Sequence, residues 1–325
     1  MQLSVVIAFR NEEKNLPQLL NCLRQQTYKN VEYIFVNDHS YDNGEKIISE
    51  QFENALVIKA KKEGKKFALQ EGILQASGDW IVCTDADCVP QPQWLETIAE
   101  TIQSQQCDLL VLPVMLSFRS QSLFERLQAT EFVAIQSLTR FCVKKQHAIM
   151  CNGANLAFRK SLYINIIQQN SNTLRNEISS GDDIFLLHAF KKNNHKIATS
   201  DNSQSIVFTS ASSSFSAFFA QRTRWAGKAY AFTDSDTIVV GLLTILLNLS
   251  MLILPFFLFL NPMIMLILGV IFIIKLSVET FFVQKESSFF NFTPTFSTIV
   301  LLSVIYPIYA ISSVFFGTIK TLNNK

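Results

Sequence analysis

Apolar and polar positions follow two regimes along this chain. Up to about residue 110, short β-branched runs alternate with longer stretches whose apolar residues recur at helical spacing. Residues 3–9, 31–37, 56–60 and 80–84 read as strands, and residues 12–26, 44–51, 65–76 and 93–103 read as the helices between them. This alternation predicts an α/β fold with a mostly parallel sheet covered by helices. Residues 108–116 fit another strand. Residues 123–143 fit a helix in which Phe124, Leu127, Phe132, Ile135 and Phe141 stand among Arg126, Arg140 and Lys144. That pattern suits a helix covering a core or one lying on a membrane surface, and the core reading is preferred. Residues 171–180 read as a polar loop, and Gly181-Asp182-Asp183 opens a helix over 184–192.

The second regime begins after Asp236, where the 38 residues 237–274 carry no charge. One membrane-spanning helix takes about 20 residues, so this length fits two helices turning back at Asn261-Pro262. The second helix extends to about Val283 and contains Lys275 and Glu279, spaced i,i+4 and able to pair. A third span fits residues 296–319. Just before the spans, residues 212–230 set Phe215, Phe218, Phe219 and Trp225 beside Arg222, Arg224 and Lys228, the pattern of an interfacial helix. The expected organisation is therefore an α/β domain over 1–210, an interfacial helix over 211–235, and a membrane region over 236–325 with spans at 237–261, 262–283 and 296–319. The basic residues before the first span favour a cytoplasmic α/β domain. Lys320 and Lys325 pull the other way for three full spans, and a re-entrant or interfacial first segment would remove the conflict.

Composition adds boundaries. A hydrophobic fraction of 49% is concentrated in the membrane region, and a net charge of +2 is too small to point to nucleic acid. None of the six cysteines forms a C-x-x-C pair, which fits reduced structural thiols facing the cytoplasm. Residues 1–7 have strand length before Arg10 and Glu12 interrupt them, so no signal peptide is expected.

In a sheet of this kind ligands bind outside the carboxyl ends of the strands, and polar residues accumulate there. Arg10-Asn11-Glu12 follows the first strand, Asn37-Asp38-His39-Ser40 the second, and Asp85-Ala86-Asp87 the fourth. Lys61-Lys62-Glu63-Gly64-Lys65-Lys66 follows the third and opens a helix, where free backbone N–H groups and lysines, Lys65 among them, suit a phosphate. Taken alone, Asp-x-Asp is a common turn, and acids at a helix start such as Asp182 and Asp183 are common caps. Four such segments at one sheet edge point to a site. Two carboxylates in one loop suit magnesium or manganese shared with substrate phosphates. Residues 150–159, with Gly and Asn, fit the pocket lining.

With these motifs the chain resembles the inverting family 2 glycosyltransferases of GT-A fold. The similarity is to the membrane-bound branch of cellulose, hyaluronan and poly-N-acetylglucosamine synthases and ceramide glucosyltransferase-like enzymes. It covers residues 1–230 and rests on four motifs in the family's order: Asn37-Asp38-His39-Ser40, Asp85-Ala86-Asp87, Gly181-Asp182-Asp183, and Gln221-Arg222-Thr223-Arg224-Trp225 as Q-x-x-R-W. The resemblance implies transfer from a nucleotide sugar, a UDP-sugar, to a lipid or lipid-linked glycan acceptor, with Mg2+ or Mn2+ as cofactor, in cell-envelope glycan synthesis at the cytoplasmic membrane. Residue by residue, it implies that Glu12 and Asp38 hold the ribose and base, Asp85 contacts the nucleotide, and Asp87, with Asp85, serves the metal. Asp183 becomes the catalytic base, with Asp182 where many relatives carry Glu. Gln221, Arg224 and Trp225 take the diphosphate and the acceptor end of the pocket. The chain departs from the pattern at Arg10, where many relatives carry Tyr, and in having about three spans, all after the α/β domain, where processive synthases usually have more. A processive polysaccharide synthase and a non-catalytic nucleotide-sugar-sensing membrane subunit are the alternative readings.

Overall fold

The computed structural model describes residues 1–118, 120, 122–170, 172–175, 177, 178, 180–257 and 262–323. In chain order the elements are β1 (Leu3–Phe9), α1 (Leu16–Arg24), β2 (Val31–Asn37), α2 (Gly44–Gln51), β3 (Ala55–Lys59), α3 (Lys65–Gln75), β4 (Trp80–Thr84), β5 (Val89–Pro90) and α4 (Trp94–Gln105). Then come β6 (Leu109–Val111), β7 (Val114–Ser117), α5 (Leu123–Lys144), β8 (Asn155–Arg159), α6 (Lys160–Gln169), α7 (Asp182–Lys192), β9 (Ile197–Ala198) and β10 (Val207–Ser210). Four helices close the chain: α8 (Phe215–Ala226), α9 (Ser235–Ile253), α10 (Pro262–Phe290) and α11 (Phe296–Asn323). They form two compact units, Met1–Ser117 with Thr139–Ser210, and Phe118–Leu138 with Ala211–Lys325.

The first unit is built on a seven-stranded sheet of order β3-β2-β1-β4-β8-β6-β9. Strands β3, β2, β1 and β4 are parallel neighbours, as the alternation predicts. All seven residues of β1 are buried, which fits a central strand covered on both faces. Its one hydroxyl, Ser4, bonds Glu32, and Glu32 also accepts the backbone N–H groups of Ser77 and Gly78 at the start of β4. Burial pushes the Glu32 carboxyl up, but these hydrogen bonds outweigh it and hold it below the usual range. Helix α3 crosses the sheet so closely that a Cβ on Gly72 would lie 2.5 Å from Val6 Cγ1 and 2.9 Å from Val36 Cγ2. Gly72→Ala is therefore expected to lower stability by about 1–3 kcal/mol through overpacking, seen as a lower melting temperature. An unchanged melting temperature would show that the helix can lift without cost.

Two expectations change in this unit. The helix read over 12–26 begins at Leu16, because Pro17 belongs in a first turn, and Asn15 and Leu16 instead donate to the Glu12 carbonyl in a turn. The strand read over 108–116 breaks at Leu112-Pro113 into β6 and β7, which belong to different sheets. Proline offers no ladder N–H there, and its carbonyl accepts from the buried Asn155 Nδ2 at 2.6 Å. Within residues 150–159 lies β8, antiparallel to both β4 and β6, the one reversed strand in a sheet that is otherwise parallel, as expected. A second sheet, β5-β10-β7, clamps the chain leaving β4.

In the second unit, Ser235–Phe257, Met263–Phe290 and Phe296–Lys320, of 23, 28 and 25 residues, are long and apolar enough to cross a membrane. The expected turn at Asn261 lies outside the described residues, and Pro262 opens α10. α10 continues to Phe290, beyond the expected Val283. It ends where Asn291 adopts φ 47° and Phe292 N–H returns to the Ser287 carbonyl at 3.0 Å. Lys275 and Glu279 pair as expected, and Ser303 of α11 donates to the same carboxylate. Pro307 interrupts α11 and leaves the Ser303 carbonyl without its helical N–H, and the Lys275 ammonium, 3.3 Å away, fills that vacancy. α8 starts on a Ser214 cap and packs on α11 through Phe218–Tyr309 and Phe219–Phe316 ring contacts. A Cβ on Gly317 would stand 2.6 Å from the Thr223 carbonyl oxygen, so a glycine is what lets the two helices approach.

Candidate active site

The carboxyl ends of β1, β2 and β4 and the start of α7 supply the carboxylates, and the start of α3 supplies a cation. Asp38, buried after β2, accepts the Gly64 N–H at 2.7 Å and so fixes the approach to α3. Gly64 has φ 122°, a conformation that favours glycine, and the next residue, Lys65, begins the helix. Lys65 Nζ lies 2.5 Å from Asp85 Oδ1. Burial pulls the Lys65 ammonium down, but Asp85, Asp182 and Asp183 outweigh burial and hold its pKa above the ordinary lysine value. Lys65 is thus a cation set among three carboxylates.

The Asp85-Ala86-Asp87 loop is closed by the Cys88 N–H on the Asp85 carbonyl at 3.1 Å. It leads into β5, which pairs antiparallel with β10. β10 also carries Thr209, whose hydroxyl donates to Asp87 Oδ2 at 3.1 Å. Asp87 faces the open side of the site, yet surrounding protein desolvates it, and this, followed by the charge of Asp85, raises its carboxyl. Glu12 is raised too, first by burial and then by Asp87 and Asp85, against the opposing Asn15 hydrogen bond. At both carboxyls, burial and neighbouring negative charge together outweigh the groups that favour the ionised form.

Asp182 and Asp183 are the first two residues of α7, after Gly181 at φ 95°. Asp183 Oδ2 accepts the Gly153 N–H at 3.0 Å, and its Oδ1 accepts the Ile184 N–H at 2.8 Å. Burial, then Asp183, raises the Asp182 carboxyl, while Lys65 and Lys66 oppose the shift. Behind the pair lies a cavity lined by Lys66, Cys83, Gly153, Tyr163 and Leu186. Lys66, grouped with Lys65 in the sequence motif, does different work. Its buried ammonium donates to the carbonyls of Leu174, Arg175 and Ile178 at 2.7, 2.9 and 2.9 Å, using all three N–H donors to anchor the loop before α7.

Glu12, Asp38, Lys65, Asp85, Asp87, Asp182 and Asp183 thus share one edge of the first unit. Gln221, Arg224 and Trp225 lie on α8 of the second unit. Thr209 escapes sequence reasoning, because a threonine in a four-residue strand carries no signal of its own. Gly153 and Lys66 fall within segments the sequence singles out, but their particular roles follow only from tertiary pairing.

Among the described residues, no group of three or more His, Cys, Asp or Glu side chains is arranged to hold a metal ion. The donor set at Asp85 and Asp87 instead fits a cation whose shell is completed by phosphate and water, the usual habit of magnesium sites. The raised carboxyls of Glu12 and Asp87 are what such a cation would relieve.

A family model described as Glycosyl transferase family 2 matches residues 4–167. Glycosyltransferase GlyA of Streptococcus pneumoniae serotype 4 is 32% identical over 113 residues, covering 34% of this chain and 16% of that protein. Poly-beta-1,6-N-acetyl-D-glucosamine synthase of Staphylococcus epidermidis is 37% identical over 90 residues, covering 27% of this chain and 22% of that one. The chain therefore matches well under half the length of either relative. Among solved structures, the mannosyltransferase PcManGT from Pyrobaculum calidifontis, in complex with GDP-Man and Mn2+, superposes with a TM-score of 0.53 at 14% identity. That match covers 100% of this chain and 88% of the other, and it shows a common fold.

Proposed function

The chain belongs to glycosyl transferase family 2, is a glycosyltransferase of GT-A fold, and from that premise we propose that it moves a sugar from a UDP-sugar to a lipid or lipid-linked glycan acceptor at a membrane. The observation that carries this reading is the arrangement at the sheet edge: paired Asp85 and Asp87, Lys65 at a helix start, and Asp183 held by two backbone N–H groups. The three apolar helices support the membrane setting, and Arg222, Arg224 and Lys228 just before the first of them favour a cytoplasmic catalytic unit over 1–210.

In the proposed reaction Asp183 takes the proton from the acceptor hydroxyl as its oxygen bonds the anomeric carbon. The bond from that carbon to the diphosphate oxygen breaks, and the electron pair leaves with the nucleoside diphosphate. One displacement with one base inverts the anomeric centre. The two backbone N–H groups on Asp183 hold the carboxylate in place for that transfer. Glu12 and Asp38 take the nucleoside, Asp85 the nucleotide, and Lys65 moves its positive charge toward the diphosphate. Gln221, Arg224 and Trp225 serve the diphosphate and the acceptor. Asp87 with Asp85 would hold a divalent cation, which when bound neutralises charge growing on the leaving diphosphate.

The test is incubation of membranes containing the full chain with labelled UDP- and GDP-sugars, with and without a chelator. Label entering a lipid extract from a UDP-sugar, and lost on chelation, is the expected result. Transfer from none of the donors would overturn the proposal. The likeness to a poly-N-acetylglucosamine synthase favours one second reading, polymer synthesis, and label in long polymer would select it.

A further inference from the structure

We propose that Arg222, an unspecified position of the Q-x-x-R-W motif, is a positioning residue that aims Gln221 and Trp225 and is itself fixed by Glu131 of α5. The proposal rests on the reading that Gln221 and Trp225 serve the donor and acceptor.

The guanidinium and the Glu131 carboxylate are both buried. Arg222 Nε lies 3.1 and 3.2 Å from the two Glu131 oxygens, and Nη2 lies 2.5 Å from Oε2, a forked pair. Nη1, the remaining arm, donates to Gln221 Oε1 at 2.5 Å. The guanidinium stands over two rings, with Cζ 4.3 Å from the Phe218 centroid and 4.5 Å from the Trp225 centroid. One side chain therefore touches both motif residues at once. Phe132, next to Glu131, closes on Trp225 at 6.4 Å between centroids. One turn back, Gln128 and Ser212 exchange two hydrogen bonds that tie the approach to α8 to the same face of α5.

A buried ion pair is weak evidence for stability, because similar apolar residues often do as well or better. What apolar residues lack is direction. A fork on a fixed carboxylate sets the plane of the guanidinium, and that plane sets the amide of Gln221 and the ring of Trp225. Lysine carries the charge without the fork or the plane.

The test compares Arg222→Lys and the double variant Glu131→Met/Arg222→Met with the parent, as full chains in membranes, by kcat and KM for the donor and by melting temperature. A fall in kcat/KM on the order of tenfold or more with melting unchanged is expected in both, since small misplacements of positioning groups cost that much. Either variant folding normally with parental kcat/KM overturns the proposal. Loss of folding in both also overturns it, by making the pair a support of the fold. Gln221→Ala and Trp225→Ala run alongside. Parental activity in both removes the α8 reading beneath the proposal, whereas their loss beside a fully active Arg222→Lys overturns the proposal alone.

Discussion

Asp183→Asn is expected to slow sugar transfer by about 10²–10⁴-fold, the usual contribution of a positioned base, while nucleotide binding stays close to parental. Asparagine keeps the size of the side chain and one acceptor oxygen, so at least one of the Gly153 and Ile184 N–H groups stays satisfied and the start of α7 holds its shape. Only the ability to take a proton goes. Turnover with the donor identified by the labelled-sugar panel, set beside calorimetric titration with UDP, separates the two effects. Near-parental turnover would remove Asp183 from the role of base. Loss of UDP binding together with turnover would move it to the nucleotide site.

Asp87→Ala is expected to have the next largest effect, lowering transfer by roughly two orders of magnitude or more, because the charge stabilisation a cation offers a leaving diphosphate is worth several kcal/mol. The variant should also lose the dependence of UDP affinity on manganese concentration. Asp87 is chosen over Asp85 because Asp85 is already in contact with the Lys65 ammonium, while the side-chain contacts of Asp87 are to the neutral Thr209 hydroxyl and, weakly, the Cys88 thiol. A manganese titration of UDP affinity that matches the parent would count against the metal assignment at this loop.

How much of this was legible depends on whether a feature is local. Strands β1 to β4 each announce themselves by an apolar run bounded by polar turns, and the helices between them by spacing. β8 does not, because its direction is set by pairing with β4 and β6, and nothing in Asn155–Arg159 encodes an antiparallel partner. β9 has two residues, too few for any period. Pro113 could have flagged the break in the 108–116 run, but the need for the break lies in the second sheet that β7 joins. At the sheet edge, the acids after the strands are visible because strand ends are visible. The hydroxyl on Asp87 and the N–H on Asp183 come from residues far along the chain. Lys65 and Lys66 show the limit most sharply: adjacent identical residues, one on carboxylates and one on loop carbonyls, separated only by the direction each takes from α3.

The proline in α11 bears on how the membrane region is assembled. Lys275 and Glu279 sit one turn apart on α10, so their charges are neutralised within a single helix as soon as it coils. The segment can then enter the bilayer as a dipole rather than as two ions, at much lower cost. The ammonium's further hydrogen bond goes to α11, to the carbonyl that Pro307 leaves open. Charge neutralisation is thus a property of α10 alone, whereas its fit to α11 is keyed: only a helix with an unfilled carbonyl opposite Lys275 completes the ammonium.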